Sequence, residues 1–310
     1  MTDDNTPGTL GAVSVDCPAK TNLTLHVGER HDEWGGRHAL DTVYCGLGIY
    51  DTVTVEQKRP STGFSLDISG RFLGDLASSS TDLRRNHAVR ALFTMAHAAG
   101  READISISIE KEIPVGAGLG GGSADAAAVI LGLNALWELD WPLEKLQAIA
   151  AGLGADMPFC LSGGYARGTG FGERIELLDA TSPTVAALRA DGFDGDVIVG
   201  AYRAELGTPE VYGLFDELGD GDGDLNSLQK AAIELHPRSG RAIELALEAG
   251  ATQAFVSGSG PSVVAFVPDG AAMEAVDRSW REWNAVDRLI TATAPAVPIV
   301  RHLDSPEGDR

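Results

Sequence analysis

The sequence has few cysteines and no long run of apolar residues. Its three cysteines, Cys17, Cys45 and Cys160, are odd in number and widely spaced, which excludes a disulfide framework or a cysteine metal cluster and favours buried free thiols in a reducing compartment. No apolar run reaches the about 18 residues of a membrane-spanning helix. The acidic N-terminus lacks the basic start and apolar core of a signal peptide. We therefore expect a cytoplasmic protein.

Positive charge is also scarce. The chain has 24 Lys and Arg against 45 Asp and Glu, a formal net charge of −21, and lysine occurs at only five positions. Such a surface repels nucleic acid and anionic membranes, so we expect neither as a partner. An anionic substrate would need a local source of positive potential. The length of 310 residues, 44% of them hydrophobic, is enough for one large core or two ordinary ones.

Glycine, in contrast, is abundant and concentrated in one segment. That segment reads Pro114, Val115, Gly116, Ala117, Gly118, Leu119, Gly120, Gly121, Gly122, Ser123 and Ala124. An alternating strand pattern precedes it and an alanine-rich helical pattern follows. A backbone without Cβ atoms folds tightly, and the start of a helix adds unpaired N–H groups and the positive end of its dipole. The pattern predicts a phosphate-binding loop, and so a nucleotide or another phosphorylated ligand.

Three other interpretations of this loop are weaker. A dinucleotide-binding fold needs an acidic residue about 20 positions further on, at the end of a second strand, where residues 136–142 indicate a helix end and a turn. A Walker loop needs a lysine after its glycines, and none follows here. A flexible linker would mix glycine with polar residues, whereas this segment lies between a strand and a helix.

The spacing of apolar residues predicts a chain of mixed helices and strands, of the α+β class. Residues 1–9 are predicted to be a disordered tail. Strands are predicted near 13–17, 23–27, 40–57 (two runs), 104–109, 164–179, 197–199, 254–256, 263–267 and 297–302. Helices are predicted near 82–99, 123–138, 142–152, 209–218, 226–249 and 270–284. A stretch rich in Thr, Pro, Asp and Gly around 180–196 predicts a boundary between domains at 10–185 and 190–305.

Two segments contain a charged residue with two interpretations each. Lys20 and Asn22 lie two residues apart, so on a strand they share a face. A lysine facing a pocket can neutralise a phosphate, but the spacing alone favours a solvated lysine at a strand edge. Asp156 lies in an apolar segment of small residues, 154–159, and suits either a helix N-cap or a general base.

Two further segments have a possible role in ligand binding. Gly258, Ser259 and Gly260 follow a predicted strand and suit either a turn that closes over phosphates or a tight hairpin turn. His38 could pair with the edge of a base, although the sequence alone favours a loop position.

Taken in order, these segments resemble the GHMP kinase superfamily and, within it, the kinases of 4-diphosphocytidyl-2-C-methyl-D-erythritol. The resemblance covers residues 12–270 and is strongest in Pro18-Ala19-Lys20-Thr21-Asn22-Leu23, in the three glycines before Ser123, and in Gly154-Ala155-Asp156-Met157-Pro158-Phe159. It implies an α+β, two-domain GHMP kinase fold. The N-terminal domain would be ribosomal-protein-S5-like, the C-terminal domain ferredoxin-like, and the active site would lie between them.

The resemblance also implies an activity, the ATP-dependent phosphorylation of the 2-hydroxyl of that anionic cytidine-diphosphate compound in the non-mevalonate isoprenoid pathway. Residues 114–124 would bind the ATP phosphates, and Lys20 and Asp156 would be the catalytic pair. The substrate would contact Asn22, Arg37, His38, Pro209 and Tyr212. Gly258, Ser259 and Gly260 would lie on the phosphate side, and Ser123 is a candidate ligand for Mg²⁺. We expect a monomer or a weak homodimer.

The sequence departs from the family pattern at three positions. Arg37 replaces the tyrosine that usually precedes His38, although a guanidinium can also stack on a base. Ala124 stands where a second serine is common, and Thr21 where isoleucine is usual. Two alternatives therefore stay open. One is another GHMP-type kinase, acting on homoserine, mevalonate or a sugar; the other is a non-catalytic nucleotide-binding protein, against which the presence of both Lys20 and Asp156 argues.

Overall fold

A computed structural model describes residues 11–73, 83–221 and 223–303. The tail predicted at 1–9 and the first residue of the helix predicted from 82 lie outside these ranges. The strands are β1 (Ala12–His31), β2 (Arg37–Gln57), β3 (Ser65–Gly70), β4 (Ile105–Lys111), β5 (Tyr165–Thr169), β6 (Arg174–Leu177), β7 (Gly195–Ala201), β8 (Gln253–Val256), β9 (Val263–Val267), β10 (Arg288–Ala294) and β11 (Ile299–Leu303).

The helices alternate with these strands in the mixed order that the sequence predicts. They are α1 (His87–Ala99), α2 (Gly121–Leu136), α3 (Leu143–Ala151), α4 (Met157–Cys160), α5 (Pro183–Ala190), α6 (Thr208–Leu218), α7 (Gln229–Leu235), α8 (Pro237–Glu248) and α9 (Gly270–Glu282). In the described part of the chain, no helix has the length and apolar character needed to cross a membrane.

Two sheets form the frame of the molecule. The first has the order β11-β1-β2-β4-β3, with β5 paired to β2 and β6 paired to β5. Helix α2 packs on this sheet, and α1 packs on α2. The second has the order β10-β7-β9-β8, with α8 and α9 packed on it. Apolar residues of the second sheet, among them Val199, Phe255 and Phe266, join the core of the first sheet. The two sheets therefore share one continuous core, and the cleft described below lies along their junction.

The prediction of separate short strands at the N-terminus is wrong. The runs at 13–17 and 23–27 form one strand, β1, and the two runs at 40–57 lie in one strand, β2. Register shifts, for example between Pro18 and Ala19, break the apolar alternation without ending the pairing of β1 with β2. Lys20 and Asn22 thus lie in the middle of a long hairpin.

Other differences also have local causes. The single helix predicted at 226–249 is two helices, α7 and α8, because Pro237 disfavours helical backbone at the residue before it. The stretch at 180–196 contains α5 as well as the start of β7. Strands β3 and β10 are not predicted by the sequence pattern. Strand β11 pairs with β1, so the chain returns to the first sheet after residue 298. The domain boundary predicted between residues 185 and 190 stays a prediction.

The return of the chain to the first sheet depends on a close approach at Gly46. Its carbonyl accepts the N–H of Ala296 at 2.9 Å, and a Cβ at position 46 would lie 2.1 Å from the Ala296 oxygen. We expect Gly46→Ala to lower the free energy of unfolding by about 1–3 kcal/mol, because the backbone of residue 296 must move.

The measurement is thermal unfolding against the matched variant Gly270→Ala, whose new Cβ would meet open space at the start of α9. Equal melting temperatures for the Gly46 and Gly270 variants would contradict the account of this junction.

Candidate active site

The glycine segment forms a tight loop between β4 and α2. Gly116, Gly118 and Gly120 have φ angles of 68°, 78° and 72°, in the left-handed region that favours glycine. A Cβ at Gly118 would lie 2.3 Å from the carbonyl oxygen of Ser257, and one at Gly120 would lie 2.7 Å from Cγ of Lys20. Helix α2 begins at residue 121, two residues before the predicted start, so the last glycines themselves supply its first free N–H groups.

A cavity of about 620 Å³ opens beside this loop. The predicted site residues that line it are Lys20, Asn22, Pro114, Val115, Gly116, Ala117, Gly118, Gly120, Gly121, Gly122, Ser123, Asp156, Tyr212, Gly258, Ser259 and Gly260. Leu119 and Ala124 do not line it, since both side chains are buried in the core. The structure therefore brings most of the predicted nucleotide and catalytic positions to one cleft.

Lys20 lies inside the protein, so the interpretation that the spacing alone favours, a solvated strand-edge lysine, is wrong. Its residue surface is 5% exposed. Its Nζ donates to Oδ1 of Asn22 at 2.9 Å and lies 3.4 Å from Oδ2 of Asp156. The Asn22 amide in turn donates to Oγ1 of Thr42 at 2.8 Å. The register shifts of β1 next to this pair explain why strand alternation alone does not predict the burial.

Asp156 occupies the N-cap position of α4, but its side chain makes no capping hydrogen bond. One of its oxygens, Oδ1, accepts a hydrogen bond from the Tyr44 hydroxyl at 3.0 Å. Burial, with the nearby Asp156 carboxylate, raises the pKa of Tyr44 well above its usual range, so the phenol stays a donor. Tyr44 is a site residue that sequence reasoning missed, because 112 positions separate it from Asp156.

A buried ionic cluster holds both ends of the glycine loop, and the sequence analysis did not predict it. Nζ of Lys111, at the end of β4, pairs with Asp51 and lies 2.8 Å from Oδ2 of Asp125, in the second turn of α2. Oδ1 of Asp51 accepts the N–H groups of Glu112 and Ile113 at 2.7 and 2.8 Å. Burial raises the pKa of Asp125 to about 7, although the ammonium of Lys111 opposes that shift.

The turn at 257–260 closes on the glycine loop from the second sheet. The turn joins the antiparallel strands β8 and β9, so it is a hairpin turn that also borders the cavity. The Ser257 hydroxyl lies 3.0 Å from Oγ1 of Thr21 and 3.1 Å from the Gly118 carbonyl oxygen. Asn226, fully buried, donates to the carbonyl of Gly258 at 2.7 Å and fixes the turn.

A second cavity of about 510 Å³ adjoins the first. The two share the lining residues Leu40, Ala155, Phe171, Thr208 and Tyr212. Three predicted substrate positions, Arg37, His38 and Pro209, line the second cavity and not the first. A ligand that reaches from the Lys20–Asp156 pair past Ala155 therefore enters the second cavity.

His38 lies on β2 and is buried, so the loop position that the sequence alone favours is wrong. Its ring stacks against Tyr212 with centroids 5.4 Å apart. Its Nδ1 lies 2.9 Å from the Gly28 carbonyl oxygen, and its Nε2 lies 3.1 Å from Oδ1 of Asp216. Both ring nitrogens thus face oxygen atoms of the protein.

Arg37 stacks on an aromatic ring that the sequence analysis did not single out. Its guanidinium carbon lies 4.5 Å from the ring centroid of Phe171, and the ring of Trp34 meets Phe171 edge-on at 6.1 Å. Arg37 is exposed, and among the residues that the structure describes it has no carboxylate partner. Phe171 lies in the turn between β5 and β6, where no apolar periodicity marks it.

The described residues contain no group of three or more His, Cys, Asp or Glu side chains arranged to hold a metal ion. Ser123 lines the cavity two residues before Asp125, whose buried Oδ1 has no hydrogen-bond partner. Hydroxyl and carboxylate oxygens are ligand types that Mg²⁺ accepts, and phosphates and water complete its shell. The residues present therefore fit an ion that arrives with a nucleotide.

Comparison with known proteins agrees with this geometry. The GHMP kinases N terminal domain family matches residues 86–164, and the GHMP kinases C terminal family matches residues 210–286. A 4-diphosphocytidyl-2-C-methyl-D-erythritol kinase of Bifidobacterium adolescentis is 67% identical over 292 residues, which cover 94% of this chain and 95% of that relative.

Solved structures extend the comparison to the fold. A crystal structure of 4-(cytidine 5'-diphospho)-2C-methyl-D-erythritol kinase has a TM-score of 0.68 at 28% identity and covers 91% of this chain and 99% of that chain. A homoserine kinase from Cytophaga hutchinsonii has a TM-score of 0.68 at 17% identity, covering 97% and 100%, which shows a shared fold alone.

Both domain matches make this chain a GHMP kinase, in agreement with the fold it shares with a 28% identical structure. Its high identity over nearly the full length places it, within that class, in the 4-diphosphocytidyl-2-C-methyl-D-erythritol kinase family.

The raised pKa of Asp125 predicts a pH dependence of stability. The pKa rises from 3.8 in the unfolded chain to about 7 in the fold, so the contribution of Asp125 is complete below about pH 4 and is lost as the pH rises through 7. Asp125→Asn removes the titrating carboxyl group and, with it, this loss of stability with rising pH. We expect the unfolding free energy of the variant, relative to the wild type, to increase by up to about 1.4 kcal/mol per pH unit over this interval.

Denaturant unfolding at about pH 5 and pH 8, without nucleotide or Mg²⁺, measures this difference. Asp67→Asn, at an exposed position of β3, is the control that should show no such trend. A difference between the Asp125 variant and the wild type that stays constant with pH would rule out the raised pKa.

Proposed function

We propose that this protein transfers the γ-phosphate of ATP to the 2-hydroxyl of 4-diphosphocytidyl-2-C-methyl-D-erythritol, in the non-mevalonate pathway to isoprenoid precursors. One observation carries the proposal: the Lys20–Asp156 pair lies in the cavity beside the glycine loop, and Ala155, next to Asp156, also lines a second cavity large enough for a nucleobase. The names of the relatives support this choice of substrate.

The glycine loop and the first turn of α2 suit the ATP phosphates. Main-chain N–H groups of residues 116–122 and the helix dipole supply positive potential in a protein whose net charge is −21. Mg²⁺, when bound, supplies further positive charge to the phosphates. Ser123 is the residue that would hold it, with Asp125 as a second candidate.

The acceptor hydroxyl belongs beside Asp156. Tyr44 donates to Oδ1 of this carboxylate, which leaves Oδ2 to accept the hydroxyl proton or to orient the hydroxyl. Lys20, fixed by Asn22, places a positive charge next to the carboxylate and the transferred phosphoryl group. Phosphoryl transfer depends mainly on such positioning and charge stabilisation.

The second cavity suits the cytidine end of the substrate. Tyr212 offers an aromatic face beside Pro209 and His38. Arg37, with no carboxylate partner in the described ranges, offers a planar cation that can stack on a base or offset the charge of the diphosphate. The three free and buried cysteines fit a reducing compartment, which supports the cytoplasm as the site of the reaction.

The runner-up function is another GHMP-type kinase, acting on homoserine, mevalonate or a sugar. The shared fold with homoserine kinase does not separate the two, but these acceptors have no nucleobase to occupy the second cavity. A non-catalytic nucleotide binder would not need the Lys20–Asp156 pair. A monomer or weak homodimer stays a prediction.

The direct test is Mg²⁺-dependent release of ADP from ATP with and without the cytidyl substrate, followed by mass analysis of the product. We expect strong stimulation and one added phosphate. Folded protein that binds ATP but shows no stimulation would exclude this substrate and favour the other acceptors.

Removal of either member of the catalytic pair should abolish most turnover. We expect Lys20→Ala and Asp156→Ala each to lower kcat by at least about 100-fold, because each loses charge or proton transfer at the reacting hydroxyl. Circular dichroism should show an intact fold. The control is Lys145→Ala, which removes an exposed lysine on α3. A near-normal kcat in Lys20→Ala or in Asp156→Ala would refute the role proposed for the residue that is changed.

Arg37 should act on substrate binding rather than on chemistry. We expect Arg37→Ala to raise KM for the cytidyl substrate about fivefold to tenfold, because it removes a planar cation from the cavity wall, with little change in kcat or in KM for ATP. Arg37→Tyr should recover most of the loss, since tyrosine also stacks on a base. The matched control is Arg174→Ala, at an exposed position of β6, which should leave this KM unchanged. A KM for the cytidyl substrate that is also unchanged in Arg37→Ala would contradict this assignment.

A further inference from the structure

Two hydroxyl groups, those of Thr21 and Ser257, connect the glycine loop to the second sheet and have no part in the proposed chemistry. Thr21 lies on β1, at a position where this chain departs from the family pattern, and Ser257 directly follows β8. Oγ of Ser257 lies 3.0 Å from Oγ1 of Thr21 and 3.1 Å from the Gly118 carbonyl oxygen. Both residues are fully buried, and neither lines the two cavities of the site. They therefore lie behind the wall of the cleft, in contact with the loop.

The number of hydrogen atoms fixes the direction of these hydrogen bonds. A carbonyl oxygen only accepts, and in the described part of the chain no main-chain N–H donates to the oxygen of Gly118. The Ser257 hydroxyl has one hydrogen, which it donates to this carbonyl. The Thr21 hydroxyl then donates to the oxygen of Ser257. The three groups thus form a chain in which Thr21 orients Ser257, and Ser257 holds the carbonyl of Gly118.

Among the carbonyls of residues 118–120, that of Gly118 is the one held by a side chain. The next two carbonyls accept main-chain N–H groups instead. Gly118 has a φ of 78° and no Cβ to restrain the peptide that follows it. Without the bond from Ser257, this peptide would be free to rotate and to turn its carbonyl toward the cavity.

A carbonyl turned toward the cavity would weaken phosphate binding. The loop attracts phosphates because its N–H groups face them, whereas a carbonyl oxygen carries partial negative charge. One reversed peptide therefore replaces an attraction with a repulsion, in a protein whose net charge is already −21. Ser257 lies outside the cavity lining, so its bond directs the Gly118 carbonyl into the protein and away from the ligand.

We propose that Thr21 is a positioning residue for ATP, which acts through Ser257 to keep the carbonyl of Gly118 turned away from the phosphates. The inference rests on the proposed function in one respect, the binding of the ATP phosphates at the glycine loop. It does not depend on which acceptor the enzyme phosphorylates. It predicts that the Thr21 hydroxyl strengthens the binding of ligands with phosphates at the loop and has no effect on a ligand without them.

A purely structural pair predicts a different outcome. Two buried hydroxyl groups satisfy each other, and loss of one lowers stability whatever the loop binds. A general distortion of the site would weaken a nucleoside and its triphosphate by the same factor. The decisive quantity is therefore the ratio of these two affinities, and not the melting temperature.

The experiment is calorimetric binding of a non-hydrolysable ATP analogue with Mg²⁺, with adenosine measured by competition as the ligand that has no phosphates. We expect Thr21→Val, which replaces the hydroxyl with a methyl group, to weaken binding of the analogue about fivefold and to leave adenosine unchanged. Thr21→Ser keeps the hydroxyl and should bind the analogue like the wild type. Thr21→Ala also lacks the hydroxyl and carries the same prediction if valine does not fit.

The matched control is Thr24→Val, the same change three residues further along β1. Thr24 lines neither cavity, and its hydroxyl oxygen accepts the N–H of Val43 at 3.3 Å. This variant should bind both ligands like the wild type. Wild-type affinity for the analogue in folded Thr21→Val, or an equal loss for adenosine, overturns the inference.

A double-mutant cycle tests whether Thr21 acts through Ser257. Ser257→Ala removes the bond to Gly118 outright, so we expect it to weaken the ATP analogue at least as much as Thr21→Val does. In the Ser257→Ala background, Thr21→Val should cause no further loss. Losses that multiply in the double variant would overturn the inference, because Thr21 would then act independently of Ser257.

These outcomes are separable from failure of the proposed function. A wild-type protein that does not bind the ATP analogue would refute the function and the inference together. A wild type that binds the analogue but phosphorylates another acceptor would refute the proposed substrate, while the Thr21 variants still decide the inference. A wild type that phosphorylates the cytidyl substrate, with analogue binding unchanged in Thr21→Val, would refute the inference alone.

Discussion

The site depends on how Lys20 is held. Its main-chain N–H donates to the Leu119 carbonyl at 2.9 Å, and its side chain packs against Gly120, so one residue of β1 sets the position of the glycine loop. Its ammonium lies between Asn22 and Asp156. A Cβ on Gly258 would lie 3.1 Å from this nitrogen, so the turn of the second sheet also packs close to it. The glycine loop, the Asp156 carboxylate and the turn at 257–260 thus meet at one buried cation.

Positively charged side chains line the cleft of a protein that is otherwise strongly acidic. The protein carries an excess of 21 negative charges, yet its ligands are anionic. Cationic side chains do line the cleft: Lys20 lies beside Asp156, and Arg30 and Arg37 lie at the second cavity. Backbone N–H groups of the loop add potential without any side chain. This arrangement explains how a strongly acidic chain can still accept two phosphorylated substrates.

Local chemistry predicts part of this structure. The glycine loop, α2 and most helices follow from short-range patterns, because a missing Cβ and helical periodicity act within a few residues. The pairing of Tyr44 with Asp156, and of Lys111 with Asp51 and Asp125, comes from tertiary packing over 112, 60 and 14 positions, which no local spacing encodes. The roles proposed for Lys20, Asp156 and His38 follow from the family resemblance, whereas their spacing alone favours or allows ordinary positions. Phe171 has no local signal in the sequence.

We infer that one continuous cleft holds ATP at the glycine loop, the acceptor hydroxyl at Lys20 and Asp156, and the base at Tyr212. A crystal structure of the protein with a non-hydrolysable ATP analogue, Mg²⁺ and the cytidyl substrate tests it most directly. The account predicts the 2-hydroxyl within hydrogen-bond distance of the Asp156 carboxylate, the γ-phosphate next to Lys20, and the cytosine ring on Tyr212. A substrate bound with its base outside the second cavity, or with its hydroxyl remote from Asp156, would contradict the account.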